Sequence, residues 1–245
     1  MSFKIKYPAL MLALLCVAQN CPAADDARFR SGVAAYEAGQ YEPAAQAFRD
    51  SLAGQAASGT LLNLGLAEWR RGRVGEAVQS WEQAAWLDPF NPDARNNLSF
   101  AREMAGVNPP ELTWYEFAST WLPADAWTWT AGGSLWLALG MVTLPGIFRV
   151  RRAGWHQTLA ALAFGIFIFS LPPSVGIVTR SKIGIILEQN TQLRLTPTRE
   201  AQSVDSLMAG EPSRELRRRG DYIFVHTQNG NGWVERGQIG FICRQ

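Results

Sequence analysis

Residues 61–89 read LLNLGLAEWRRGRVGEAVQSWEQAAWLDP, and residues 28–53, RFRSGVAAYEAGQYEPAAQAFRDSLA, carry the same pattern 33 positions earlier. Gly32, Gly39, Ala44 and Phe48 fall on Gly65, Gly72, Ala77 and Trp81. The spacing predicts two pairs of antiparallel helices. Gly32/Gly65 and Ala44/Ala77 let the helices of a pair approach closely, and Phe48/Trp81 fills the space that the small residues leave.

The next stretch, LDPFNPDARNNLSFARE (87–103), punctuates the repeat. Asp88-Pro89 ends one helix and Asn91-Pro92 starts another, because the residue before proline is driven out of the helical region while proline is tolerated in a first turn. A repeat array needs a closing helix with a polar outer side. Asp93–Met104 fits that role, with Leu98 and Ala101 inward and Arg95, Asn96, Arg102 and Glu103 outward. The pattern resembles tetratricopeptide repeats. In the second copy Leu64, Gly65, Gly72, Ala77, Trp81, Ala84 and Pro89 match the family; the first copy has Ser51 where alanine is usual and no closing proline. The resemblance implies a groove lined by Phe29, Val33, Tyr36, Leu62, Leu66, Trp69, Asn96 and Phe100. Family members that clamp a peptide's carboxylates use Lys, Arg and Asn there. This sequence departs from that set, so the implied ligand is an apolar helix or extended segment. The alternative is that these residues pack within the array.

The 245 residues carry a net charge of +2 and are 47% hydrophobic, neither of which is extreme, and no nucleic-acid partner is expected. Lys4 and Lys6, the apolar run Ala9–Ala18 and the small residues of NCPAA lay out a secretory signal peptide, cleaved after Ala23 or Ala24. An uncleaved anchor or a lipoprotein signal are the alternatives, but Leu15 before Cys16 and Asn20 before Cys21 are poor lipobox residues. Cleavage leaves Cys243 alone, with no intramolecular disulfide to form.

Between Asp125 and Arg149 lie 23 residues without charge, and between His156 and Arg180 another 23. Each exceeds the roughly 20 residues needed to cross a hydrocarbon core, so two transmembrane helices are expected. Arg149, Arg151 and Arg152 in the short link place it in the cytoplasm and both flanks in the periplasm. Pro172-Pro173 should kink or end the second span. Ahead of the first, Trp114, Phe117, Ala118 and Trp121 recur at the spacing of an apolar helical face. That face suits either the membrane interface or packing on the repeats.

From Lys182 the character changes to short strand-like runs, IGIILEQ, TQLRLTP, SRELRRR, DYIFVHTQ and GWVER, with an Asn-Gly hairpin signal in HTQNGNGWV. A small all-β barrel is expected. The order of these runs resembles a bacterial SH3-type domain, in which Gly232-Trp233-Val234 closes the barrel and Trp233 is a core anchor.

The inventory for catalysis is thin. His156 in the link and His226 in a strand cannot meet across a bilayer, and no HExxH, CxxC, phosphate-loop or nucleophile-elbow pattern is present. No catalytic residue, metal or cofactor is expected. RELRRR (214–219) reads as a solvated strand edge, since strand geometry splits these side chains between two faces; the alternative is an anionic cell-wall polymer or lipid.

Taken in order, the chain resembles the BatE proteins of bacterial aerotolerance (Bat) operons, with LDPFNPDARNNLSFARE and LRLTPTREAQ as its most specific words. The expected fold class is an α + β multidomain membrane protein: signal peptide 1–24, all-α tetratricopeptide domain 25–106, interfacial segment 107–125, transmembrane helix 126–148, cytoplasmic loop 149–156, transmembrane helix 157–179 and SH3-like barrel 182–245. The resemblance implies a non-enzymatic scaffold of the bacterial inner membrane, with two periplasmic interaction modules. Its implied partners are membrane proteins carrying von Willebrand factor A domains and, indirectly, a MoxR-type AAA ATPase. Two rivals are a cell-wall sensor that binds peptidoglycan through the SH3-like domain, and an enzyme without a recognisable motif.

Overall fold

The computed structural model describes residues 22–54, 56–147 and 154–243. Most of the expected signal peptide and the arginines of the expected cytoplasmic loop lie outside them.

Among the described residues five helices come first: α1 (Pro22–Glu37), α2 (Tyr41–Ser51), α3 (Ser58–Arg70), α4 (Val74–Leu87) and α5 (Pro92–Ala105). The turns between α1 and α2 and between α3 and α4 both contain a glycine with positive φ, Gly39 at 75° and Gly72 at 76°, a backbone state that side chains disfavour. A Cβ on Gly32 would strike the Phe48 ring, and one on Gly65 would strike the Trp81 indole. The same close approach therefore recurs 33 residues on. α4 stops at Leu87, with Asp88 extended ahead of Pro89; α5 opens on Asn91, whose Oδ1 accepts from the Asp93 and Ala94 amides at 3.0 and 3.2 Å. Within α5, Leu98 and Ala101 are buried as the spacing predicts, but Arg102 turns inward to pair with Glu82 of α4.

The short α6 (Trp114–Ala118) leads into two long antiparallel helices, α7 (Ala124–Ile147) and α8 (Gly154–Arg180). Among the described residues α8 alone is long and apolar enough to cross a membrane. The second expected span is not shown among the described residues. α7 spends much of its length on Thr128, Thr130, Gly132, Gly133, Ser134 and Thr143. All four of these hydroxyls are returned to the helix, from Thr128 to the Ala124 carbonyl, Thr130 to Ala126, Ser134 to Ala131 and Thr143 to Leu139. The proline pair neither ends nor splits α8, which continues to Arg180. Serine hydroxyls flank the lost amide donors: Ser170 donates to the Phe167 carbonyl at 2.7 Å and Ser174 to the Ser170 carbonyl at 2.8 Å.

Seven strands follow: β1 (Ile183–Ile186), β2 (Thr191–Arg194), β3 (Ser203–Leu207), β4 (Pro212–Arg219), β5 (Tyr222–Thr227), β6 (Gly230–Glu235) and β7 (Ile239–Phe241). Every pairing is antiparallel, in the order β3-β2-β6-β5-β4-β1-β7. The expected barrel is corrected to an open sheet. Its β7 edge is occupied by a helix, because Gln79 and Gln83 of α4 both donate to the Phe241 carbonyl, at 3.3 and 2.8 Å. Covering an edge in this way removes the pairing surface a closing strand would need. The β5–β6 turn is closed by the pair Thr227↔Gly230, so Gln228 and Asn229 are its central residues and Gly230, at φ 132°, follows them.

Three apolar clusters hold these parts. The first joins the two helical pairs through Ala44, Phe48, Leu61, Leu64, Ala67 and Ala84. A sheet core gathers Ile186, Leu193, Leu207, Ile223, Val225 and Val234. Between them lies a shared cluster in which Ala77, Val78 and Trp81 of α4 and Leu98 of α5 pack on Ile183, Ile185 and Ile242. All four residues of β1 are buried, as a strand covered on both faces must be.

Candidate functional site

The eight residues expected to line a groove do not share one environment. Phe29, Val33 and Tyr36 are half-buried on α1, with Phe29 against Phe48 (ring centroids 5.7 Å) and Tyr36 edge-on to Tyr41 (5.4 Å). Leu62 and Leu66 pack against the clusters behind them, and the Leu62 carbonyl accepts from the Trp81 indole N–H at 3.1 Å. Trp69 is half-buried between Trp81 and Phe100, with centroids 6.0 and 5.6 Å away. Asn96 and Phe100 on α5 are exposed. Among the apolar members only Phe100 is exposed; Tyr36 and Trp69 are its half-buried aromatic companions, and Leu62 and Leu66 are half-buried as well.

Behind these residues the repeat is stiffened by buried charge. Glu68, 1% exposed, is held between Arg49 and Arg71, and Arg71 also reaches Glu42. Burial pushes the Glu68 carboxyl above its usual range, against the pull of both arginines. The set is redundant: Glu68 keeps one arginine if the other is removed, and only loss of both would leave its buried charge unpaired.

A second constellation lies where helices, sheet and the α7/α8 hairpin meet. Glu116, on the short α6, is fully buried. Arg214 of β4 forks onto it, Nη1 to Oε1 at 2.6 Å and Nη2 to Oε2 at 3.1 Å, and the Thr113 amide and hydroxyl donate to Oε2 at 2.9 and 3.0 Å. Burial opposes the ionised form, but the hydrogen bonds from Arg214, Thr113 and Thr179 outweigh it and hold the carboxyl at about 2. Arg214 also donates to the Glu111 and Thr179 carbonyls, at 3.2 and 3.5 Å. Beside it Arg180, at the end of α8, donates to Ser119 Oγ at 3.0 Å and lies 4.9 Å from the centre of the Trp86 ring of α4. Gly176 lets α8 approach α6 so closely that a Cβ there would strike the Tyr115 carbonyl.

α6 therefore has an unusual partition, with its carboxylate inside and its aromatic rings outside. Trp114, Phe117 and Trp121 are all exposed. The exposure continues along the hairpin through Trp129 (79%) and Trp136 (75%) of α7 and Leu162, Phe164 and Phe169 of α8. Soluble monomers rarely expose contiguous apolar surface beyond a few hundred Å².

The histidines are not brought together. His156 is near the start of α8, roughly 36 Å of helix from Arg180, whereas His226 is in β5 with Nδ1 2.6 Å from Asn231 Oδ1. A cavity of about 60 Å³ beside His226 is lined by Ser213 and Arg214. There the Ser213 hydroxyl is committed to the Gly184 carbonyl at 3.2 Å and Arg214 to Glu116. Burial pushes the Cys243 thiol up, away from the thiolate. Among the described residues no group of three or more His, Cys, Asp or Glu is placed to hold a metal ion.

Trp233 is buried, but on the face of the sheet opposite the main β core. Its neighbour Val234 belongs to that core, and adjacent strand residues point to opposite faces. Its ring meets Phe224 (5.1 Å) and is covered by the Arg217 guanidinium at 5.3 Å. Arg218, by contrast, bonds Glu215 and lies over Phe241, so the basic run is split between two faces. The Glu116 junction was not expected from sequence. Its only local signal is Thr113-x-x-Glu116, the pattern of a capping box, and that says nothing of Arg214, 98 residues away. No family model matches the chain.

Proposed function

We propose that this protein is a non-enzymatic membrane-anchored scaffold, whose helical repeats and β-sheet act as one interaction head on an α7/α8 anchor. The observation that carries the reading is the partition at α6 and the hairpin: Glu116 and Arg214 are paired inside, and a belt of exposed aromatic and apolar side chains is left outside. A bilayer is the environment in which that belt costs nothing, with Trp114 and Trp121 at the headgroup level. In this reading both helices of the hairpin are embedded, α7 being tolerated because its hydroxyls are internally bonded and one side of it lies on α8. The arginines of the 149–156 link orient it with the head in the periplasm. The repeats are of tetratricopeptide type and the sheet is an opened SH3-like module. The resemblance to BatE proteins supplies the company proposed for the chain, membrane proteins with von Willebrand factor A domains and a MoxR-type ATPase. Commitment of the polar groups of Ser213, His226 and Arg214 to structural bonds supports a scaffold over an enzyme.

The head offers the strip of Tyr36, Trp69 and Phe100 to an apolar segment of a partner. Phe100→Ala is the discriminating variant, because Phe100 is 52% exposed whereas Leu62 and Leu66 support the core. Surface substitutions of this kind usually change stability by about 0.5 kcal/mol or less. Cross-linking in intact membranes should therefore lose partner capture in Phe100→Ala while the amount of folded protein is unchanged. Undiminished capture would move the contact elsewhere, and retention of the purified head by sacculi would favour the cell-wall sensor. Reporter fusions at Ala153 and beyond residue 243 test the anchor; both on one side of the membrane would remove a two-span hairpin.

A further inference from the structure

Beneath the junction lies a cavity of about 370 Å³, within the ~300–1,000 Å³ range of small-molecule sites. It is bounded by α4, α5, the 109–112 connection, α6 and the end of α8. Three guanidinium groups line it, Arg95 and Arg102 of α5 and Arg180 of α8, against a single carboxylate, Glu82. Glu82 is paired with Arg102. Among the described residues Arg95 and Arg180 have no carboxylate at ion-pair distance, although Arg180 is oriented by Ser119 and Trp86. The remaining lining is largely apolar, including Ala85, Leu98, Leu112, Phe117 and Ile183.

We infer that this cavity binds the phosphate of an anionic membrane lipid. Guanidinium forks match phosphate oxygens in geometry and charge, and an excess of cations in a partly dry recess favours such an anion over a neutral ligand. The apolar lining suits the glycerol and the upper acyl chains. Phe117 links the cavity to the bilayer: it lines the recess, is 58% exposed, and belongs to the aromatic face proposed to lie among the headgroups. A lipid held here would touch the repeats, α6 and the end of the hairpin together, so its occupancy would fasten the head to the membrane surface. The inference rests on the membrane reading for the source of the phosphate, but the phosphate chemistry rests on the cavity alone.

The test uses the full chain in nanodiscs of phosphatidylcholine with or without phosphatidylglycerol, followed by native mass spectrometry of retained lipid. The parent should retain phosphatidylglycerol in preference to phosphatidylcholine. Loss of one charge-assisted hydrogen bond should weaken retention about tenfold in Arg180→Gln, and about threefold in the solvent-facing Arg95→Gln. Arg95→Gln guards against misfolding, since Arg180 also bonds Ser119. Inorganic phosphate is added in a second arm, to phosphatidylcholine discs. If it raises the melting temperature of the parent as much as phosphatidylglycerol does, and Arg95→Gln needs about threefold more phosphate for the same rise, the phosphate site stands and its source is solution. Equal lipid retention by the parent and both variants, with no response to phosphate, overturns the proposal. A chain that remains soluble without discs or detergent removes the anchor and the lipid source, and the phosphate arm still decides the cavity.

Discussion

Glu116 concentrates the argument in one side chain. Its carboxyl is fully buried yet held at about 2, below an ordinary value of 4.5, because Arg214, Thr113 and Thr179 bond the ionised form. A folded-state value below the unfolded one stabilises the fold above about pH 4.5, and that contribution is lost as the pH falls towards 2. By linkage it is worth about 3 kcal/mol at neutral pH. Glu116→Gln should therefore unfold more easily than the parent at pH 7, by an amount of that order, and the gap should narrow on acidification from pH 5 to pH 2. A gap that stays constant in urea titrations across this window would mean that the Arg214 pair contributes nothing specific. Glu68 has the opposite sign, since burial raises its folded value and part of its cost is relieved by protonation.

At the scale of elements, two glycines on the same helical pair have different duties. A Cβ on Gly65 would meet the Trp81 indole inside the pair, whereas one on Gly75 would meet the backbone of Ile186 and Leu187, between α4 and the sheet. Gly65→Val should overpack the α3–α4 contact, at a cost of about 1–3 kcal/mol, and raise amide exchange in those helices. Gly75→Val should leave α3 and α4 protected and raise exchange in β1 and β7, because a backbone cannot rotate aside as a ring can. Unchanged protection of β1 would mean that the docking is loose. Gly65 was legible in the sequence because its partner is close in the chain and the relation is repeated. Gly75 was not, since its partners come from a strand more than 100 residues away and only the fold brings them together. The same contrast explains the strands. The runs that became β1, β2, β4, β5 and β6 have apolar or turn signals, whereas β3, SVDSL, is mostly exposed and β7, IGF, is three residues long. α7 is as free of charge as its sequence reads, but the second span is not shown among the described residues. Of the expected groove, Phe100 and Asn96 are exposed while Phe29, Val33, Tyr36, Leu62, Leu66 and Trp69 are half-buried, a difference that depends on how α1, α3 and α5 pack on the clusters behind them.

For the whole molecule, the shared cluster decides how many folding units there are. An SH3-type tail would fold alone, but here Ile183, Ile185 and Ile242 of the β region are buried against Ala77, Val78, Trp81 and Leu98 of the helices. Burying each of these isoleucines is worth roughly 1.5–3 kcal/mol, so separating sheet from helices exposes on the order of 5–9 kcal/mol of apolar stabilisation. A domain of this size has only about 3–10 kcal/mol in total. The excised fragment 182–245 should therefore lack a cooperative urea transition and give poorly dispersed amide resonances. Fragment 26–243 without the α7/α8 hairpin, rejoined by a flexible linker from Trp121 to Ser181, should retain both. Within it Trp233→Ala should cost about 3 kcal/mol or less, because Phe224 and Arg217 cover that ring from one side of the sheet only. Cooperative unfolding of 182–245 alone would make the sheet an autonomous module. Coincident transitions of helical and sheet signals in the rejoined head would instead establish one unit, in which a partner bound at the Tyr36, Trp69 and Phe100 strip is felt at the edge of the sheet.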